Sequence, residues 1–319
     1  MRTSHTLSEQ LLIGFKCIQY GFSLFKKHPI LIIPALTAFT INSAISIYYT
    51  EIFNWEDIPG NTASVLIFLI ILSYCLVLSF CNFILLEQIR YIETKNKPKL
   101  HTTINRVVAN TIITLPITIF WALLDLLLRI IKALQQNGSD EINEIDLDEF
   151  SFEKLAKILN KPQDLNFITL GIDAIQSGLR MIIFFIQPAI AWESENTINA
   201  LKKGMACIKA NIGEFTIGLL ASEFMFFTLT LPIGIIFAIS EANITHFSET
   251  IWLIVTIYTL FASSLYIFIQ QTFAASLYLW NLNWLKAAQR AYKNNQQIPK
   301  LKDIKKPSLL DGINDFNLY

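Results

Sequence analysis

The chain is short of charge and shorter still of the residues that carry most enzyme chemistry. Of its 319 residues, 16% are Asp, Glu, Lys or Arg, where soluble domains average roughly 25%. Two water-soluble domains, which this length would otherwise allow, are therefore not expected. Histidine occurs four times (5, 28, 101 and 246) and cysteine four times (17, 75, 81 and 207). With no CxxC and no His pair at ligand spacing, neither a metal centre nor a disulfide framework is expected. HExxH, GxSxG and the P-loop are all missing, and no paired carboxylates accompany a His. The expectation is a chain with no catalytic residues, no cofactor and no enzyme activity. Basic and acidic residues number 25 each, so a net charge of zero gives no general attraction to nucleic acid.

What is abundant is apolar: 53% of the chain, gathered into runs rather than spread with a period. Spanning about 30 Å of hydrocarbon takes roughly 20 such residues in a helix. Six runs qualify, at about 30–50, 64–87, 108–131, 166–191, 212–239 and 250–280. The fold class expected is all-α, a six-span membrane bundle. Lys and Arg between the runs set its orientation. There are four before the first run, five in 88–107, three in 192–211 and seven after 280, against none in 51–62 or 240–249. Both ends are therefore expected in the cytoplasm, with 51–62, 132–165 and 240–249 outside. The 132–165 segment breaks the pattern with Lys132, Lys154, Lys157 and Lys161 among eight acids. Its "DEINEIDLDE" lacks the Gly and Glu spacing of a calcium loop, so it reads as solvated and acidic.

Segments on the basic side are amphipathic. In "LSEQLLIGFKCIQYGFSLFKKHP" (7–29), Leu11, Phe15, Ile18, Phe22 and Phe25 recur at helical spacing, and Pro29 turns the chain toward the first run. "ENTINALKKGMACIKANIGEF" (195–215) repeats the design before the fifth run, and "PKLHTTINRVVAN" (98–110) is a shorter version before the third. These read as interfacial helices, giving three units of interfacial helix plus hairpin. "GFKCIQ" and "GMACIK" are alike, though too short to establish a repeat. The first region is too long and too amphipathic for a cleavable leader. Lys16, Lys26, Lys27, Lys202, Lys203 and Lys209 are the residues expected at lipid headgroups, and 281–319 is expected as a basic cytoplasmic tail, loosely ordered from 294.

Three stretches carry a resemblance: "FSLFKKHPILIIPAL" (22–36), "QPAIAWESENTINALKKGMACIKANIGEF" (187–215) and "QQTFAASLYLWNLN" (270–283). Together they resemble a bacterial family of six-span integral membrane proteins known as a domain of unknown function. A more distant likeness is to the membrane domain attached to some glycerophosphodiester phosphodiesterases. The most specific positions are Pro188, Glu193, Lys202, Lys203 and Lys209. The resemblance implies fold and inner-membrane location and brings no catalytic residues. The phosphodiesterase domain itself is not in this sequence.

The remaining candidates are charges inside the runs. "WALLDLLLRII" (121–131) places Asp125 and Arg129 on one helical face. Counting about 1.5 Å per residue, Asp173 falls near their depth, while Arg180 and Glu223 share the midplane. An unpaired charge there costs at least about 2.5–3.5 kcal/mol, so pairing is the default. Gln187, Gln270 and Gln271 are available to help. Two readings stay open: structural pairs in a protein that binds lipid, a second copy or another membrane protein, or a polar path in a small transporter or channel. Pro116, Pro188 and Pro232, one in each of three runs, are expected as kinks rather than breaks.

Overall fold

A computed structural model describes residues 26–54, 58–94, 100–136, 167–193, 195–241, 247–299 and 304. These residues are 92% helix with no strand. After a 3-10 turn at Pro29–Leu31, α1 runs Ile32–Ile47 and ends in a π turn at Tyr48–Ile52. Then come α2 (Gly60–Thr94), α3 (Leu100–Gln136), α4 (Phe167–Glu193), α5 (Thr197–Ala210), α6 (Ile212–Glu241) and α7 (Glu249–Lys293). The amphipathic segment before residue 26, with Lys16, and most of the 132–165 excursion lie outside the described residues.

Among the described residues, five stretches are long and apolar enough to cross a membrane: Pro29–Ile47, Val65–Glu93, His101–Leu128, Gly218–Ser240 and Thr250–Lys293. The chain is a multi-pass helical protein of membrane type. α4 is not among the five. Its 27 residues reach about 40 Å, and the side chains of its first nine, 167–175, lie outside the described set.

One expected boundary falls elsewhere. Residues 98–110 do not form a separate interfacial piece, because α3 runs unbroken from Leu100. Nothing between 100 and 115 is Gly or Pro, so a helix started there simply propagates. α7 continues past the last apolar run to Lys293, over a stretch rich in Leu, Ala, Lys and Arg. α7 ends where Asn295 takes a positive φ of 52°. Its amide donates to Tyr292 and that of Gln296 to Ala291, the paired bonds of a Schellman cap. Pro116, Pro188 and Pro232 sit inside helices that continue past them.

α1, α2, α3, α4 and α7 close a ring by neighbour contacts, α5 packs along α4, and α6 leans on α7. α6 is apolar over most of its length apart from Ser222 and Glu223, and Leu220, Phe227 and Ile235 point outward from it. Burial is densest late in α2 and α4 and at the middle of α7, around Phe83, Leu86, Phe185, Ile190, Phe268 and Leu277. Hydroxyls on the helices mostly close on their own chain: Thr37, Thr111, Thr118, Thr228 and Thr272 each donate to the carbonyl four residues back. Such hydroxyls need no partner from outside and drop out as functional candidates.

Candidate functional site

α4 carries its polar residues at helical spacing (Asp173, Gln176, Ser177, Arg180, Gln187), which gathers them on one side. That side meets α2, α3 and α7. Nearest the start of α4, Gln176 donates to Asp125 of α3. Asp125 is 7% exposed and faces into the bundle. Arg129 and Asp173 lie on α3 and α4, but their side chains are outside the described set.

One turn further, Arg180 and Glu223 come together with Nη2 and Oε1 3.8 Å apart. That separation is an ion pair but too long for a hydrogen bond. The phenol of Tyr266 fills the interval. Arg180 Nη2 donates to its hydroxyl at 2.7 Å, and the hydroxyl donates to Glu223 Oε1. The guanidinium also stands over the Tyr266 ring, 4.8 Å from its centroid. Arg180 Nε donates to Gln270 Oε1 at 3.1 Å, and the Gln270 amide passes the chain to Ser222 at 2.9 Å. Ser177 accepts from Nη2 at 3.3 Å. Three helices, α4, α6 and α7, are thus tied at one level by a net-neutral network.

Of the three glutamines named from sequence, Gln270 joins Arg180, Gln271 donates to the Phe184 carbonyl at 3.4 Å, and Gln187 makes no hydrogen bond to the pair among the described residues. Tyr266, Ser222, Ser177 and Gln176 were not anticipated. Tyr266 stands one turn before Gln270, and Gln176 and Ser177 one turn before Arg180. Helical spacing from the charged residue was the available signal.

A second polar group lies where α4, α5 and α7 meet. Lys203 bridges Glu193 at 2.5 Å and Glu195 at 2.8 Å. Glu193 also accepts from the Tyr278 hydroxyl. The hydrogen bonds Lys203 donates to Glu193 and Glu195 raise its pKa, and the bond it donates to Glu195 lowers that carboxyl. Asn196 caps α5 by accepting from the Asn199 amide at 2.9 Å. Thr197 donates to the Ile113 carbonyl on α3 at 2.7 Å. At the far end Asn211 donates to Asn281 at 3.2 Å. Gly204 lies over Phe185, where a Cβ would stand 3.1 Å from backbone atoms.

Lys202 and Lys209 are exposed on α5, and Lys26 and Lys27 are exposed before α1. Buried Glu87, 3% exposed, holds Arg90 at 3.8 Å and Arg106 at 3.9 Å, joining α2 to α3. Beside Arg180, residues of α2, α3, α4 and α7 line a half-open cavity of about 60 Å³ whose walls include Ser79, Asn82, Thr118, Trp121, Gln187 and Ile267. Among the described residues no group of three His, Cys, Asp or Glu is placed to hold a metal. No protein-family model, curated protein or solved structure matches the chain.

Proposed function

We propose that the chain is a six-span integral protein of a bacterial cytoplasmic membrane, non-enzymatic, with α4 as fourth span and both ends in the cytoplasm. Its inner rim binds anionic lipid headgroups, and its intramembrane charges hold the helices in place. The supporting observation is the surface of α5. Ala200, Gly204, Cys207 and Ile208 are buried against the bundle. At about 100° per residue, the outward surface then reads in order as apolar Leu201, Met205 and Ile198, basic Lys209 and Lys202, and last Ala206 and Asn199. Ile198 and Leu201 are exposed, at 66% and 42%. Protein, lipid tail, headgroup and water would each meet their own strip of one short helix.

Depth agrees with this reading. Arg106 reaches Glu87, and Thr197 at the head of α5 reaches Ile113. Seven residues of α3 separate the two contacts, about 10 Å. That is the depth to which an interfacial helix sinks its apolar side below the charged layer.

The test uses the full-length protein in nanodiscs of phosphatidylcholine with a minor share of phosphatidylglycerol, and counts retained lipids by native mass spectrometry. Each of Lys202→Gln and Lys209→Gln should weaken phosphatidylglycerol retention about fivefold, matching about 1 kcal/mol per basic residue. Unchanged retention in the double variant would exclude α5 as the headgroup site.

A further inference from the structure

The half-open cavity beside Arg180 has polar residues in its walls but turns almost none of their polar atoms toward a guest. The Ser79 hydroxyl meets that of Thr114 at 3.4 Å, and Thr118 donates to the Thr114 carbonyl at 3.1 Å. The side-chain oxygens of Asn82 and Gln187 have next to no accessible surface. Arg180 commits Nε and Nη2 to Gln270, Ser177 and Tyr266, and Glu223 meets its charge. What a guest would touch is mostly carbon, from walls that include Leu78, Trp121, Ile183, Phe184 and Ile267. A held water needs roughly two to four polar partners. These walls do not supply them.

The level of the cavity points the same way. The stretches that form it, 75–82 of α2, 118–121 of α3, 180–187 of α4 and Ile267 of α7, all lie within about two turns of the midpoints of their helices. With α4 crossing the bilayer as proposed above, that level is the centre of about 30 Å of hydrocarbon, where the acyl chains of the two leaflets end. We infer that the cavity is a binding site for the end of a lipid acyl chain, which lodges its last carbons among α2, α3, α4 and α7. Size sets how much of the chain enters. One water needs about 10–15 Å³ of such space, so about 60 Å³ takes roughly four or five carbons. The site rests on the six-span reading but not on headgroup binding, since it lies away from Lys202 and Lys209 and reads only the chain.

Trp121 lines the cavity and supplies a reporter. The experiment takes the full chain in phosphatidylcholine nanodiscs doped with one of two brominated lipids, carrying bromine on the last carbons of a chain or beside its carbonyl. Subtracting the emission of Trp121→Phe isolates that indole among six tryptophans. Chain-end bromine should quench Trp121 more strongly than bromine beside the carbonyl. Filling the space with Ser79→Leu, or independently with Thr118→Leu, should remove most of the chain-end quenching. Those variants separate a chain inside the cavity from lipid that only touches the outside of α3. Unchanged chain-end quenching in a folded, filled variant would overturn the site and leave the six-span reading standing. Stronger quenching by bromine beside the carbonyl would overturn both, because Trp121 would then lie away from the bilayer centre. Quenching of Trp121 by aqueous iodide would mean a wet space and would also exclude the acyl chain. The depth and iodide comparisons need no filled variant, so they decide the matter even if neither replacement folds.

Discussion

Replacing Arg180 with Leu should cost far more than its own contacts, because Glu223 is left behind. Arg180 makes an ion pair at 3.8 Å, three hydrogen bonds and a ring contact. Breaking such a pair from one side costs about 3–5 kcal/mol, much of it the penalty of the orphaned partner. Glu223 is only part-buried, yet in a membrane the surface it shows meets lipid rather than water, so we expect about 3 kcal/mol for Arg180→Leu. Glu223→Leu should cost about 2 kcal/mol, since Arg180 keeps Gln270 and Tyr266 as partners. Together they should cost less than the sum by about 1–2 kcal/mol. The phenol decides how that coupling is carried. If most of it passes through the Tyr266 hydroxyl, the same cycle in a Tyr266→Phe background should give less than half the coupling. Unfolding midpoints in detergent, with denaturant series for all eight proteins, measure every corner. Additivity within about 0.5 kcal/mol in the Tyr266 background would refute the network, and equal coupling in both backgrounds would refute the bridging role of the phenol.

Orientation is checked with Ser139→Cys in a background freed of native cysteines: an impermeant maleimide should label it in intact cells, and labelling only after permeabilisation would invert the proposed topology. Gly204→Val should lower stability by about 1–3 kcal/mol, because its first carbon would meet Phe185 backbone at 3.1 Å and main chain cannot step aside as a side chain can; a neutral effect on the thermal midpoint would mean α5 does not press on α4. The Lys203 cluster predicts a pH profile. Glu195, lowered from 4.5, contributes stability that is present above that value and lost as pH falls through its lowered pKa. Lys203, raised from 10.5, contributes stability that is present below that value and lost as pH rises through its raised pKa. The stability difference between wild type and Lys203→Met should thus be flat between about pH 5 and pH 10 and shrink on either side; a slope near neutrality would point to another group.

Helicity and five long apolar helices were legible because they depend on many residues at once. The meeting of Arg180 with Glu223 was legible from depth alone, since a charge in hydrocarbon has few affordable arrangements. Tyr266 was not, because a tyrosine among 24 Phe and 10 Tyr reads equally well as filling. Only its place one turn from Gln270 separates it, and that matters only after Gln270 is known to face Arg180. The break expected near residue 110 failed for a different reason. A change from polar to apolar character marks where a helix enters a new environment, not where the helix stops. Gly or Pro would have been needed for that, and Leu100–Leu115 has neither. The cavity had no sequence signal at all, as it is a property of four helices and of what fails to fill the space between them.

α7 has 45 residues and a length of about 68 Å, more than twice the thickness of about 30 Å of hydrocarbon. Beyond it the chain folds back, with Trp284 donating to the Pro299 carbonyl at 2.8 Å and Trp280 to that of Ile304 at 3.2 Å. The helix is held to the bundle at Gln270, Tyr278 and Asn281, so its last tie lies 12 residues before Lys293. Over that stretch, about 18 Å, a tilt of about 10° moves the far end by about 3 Å.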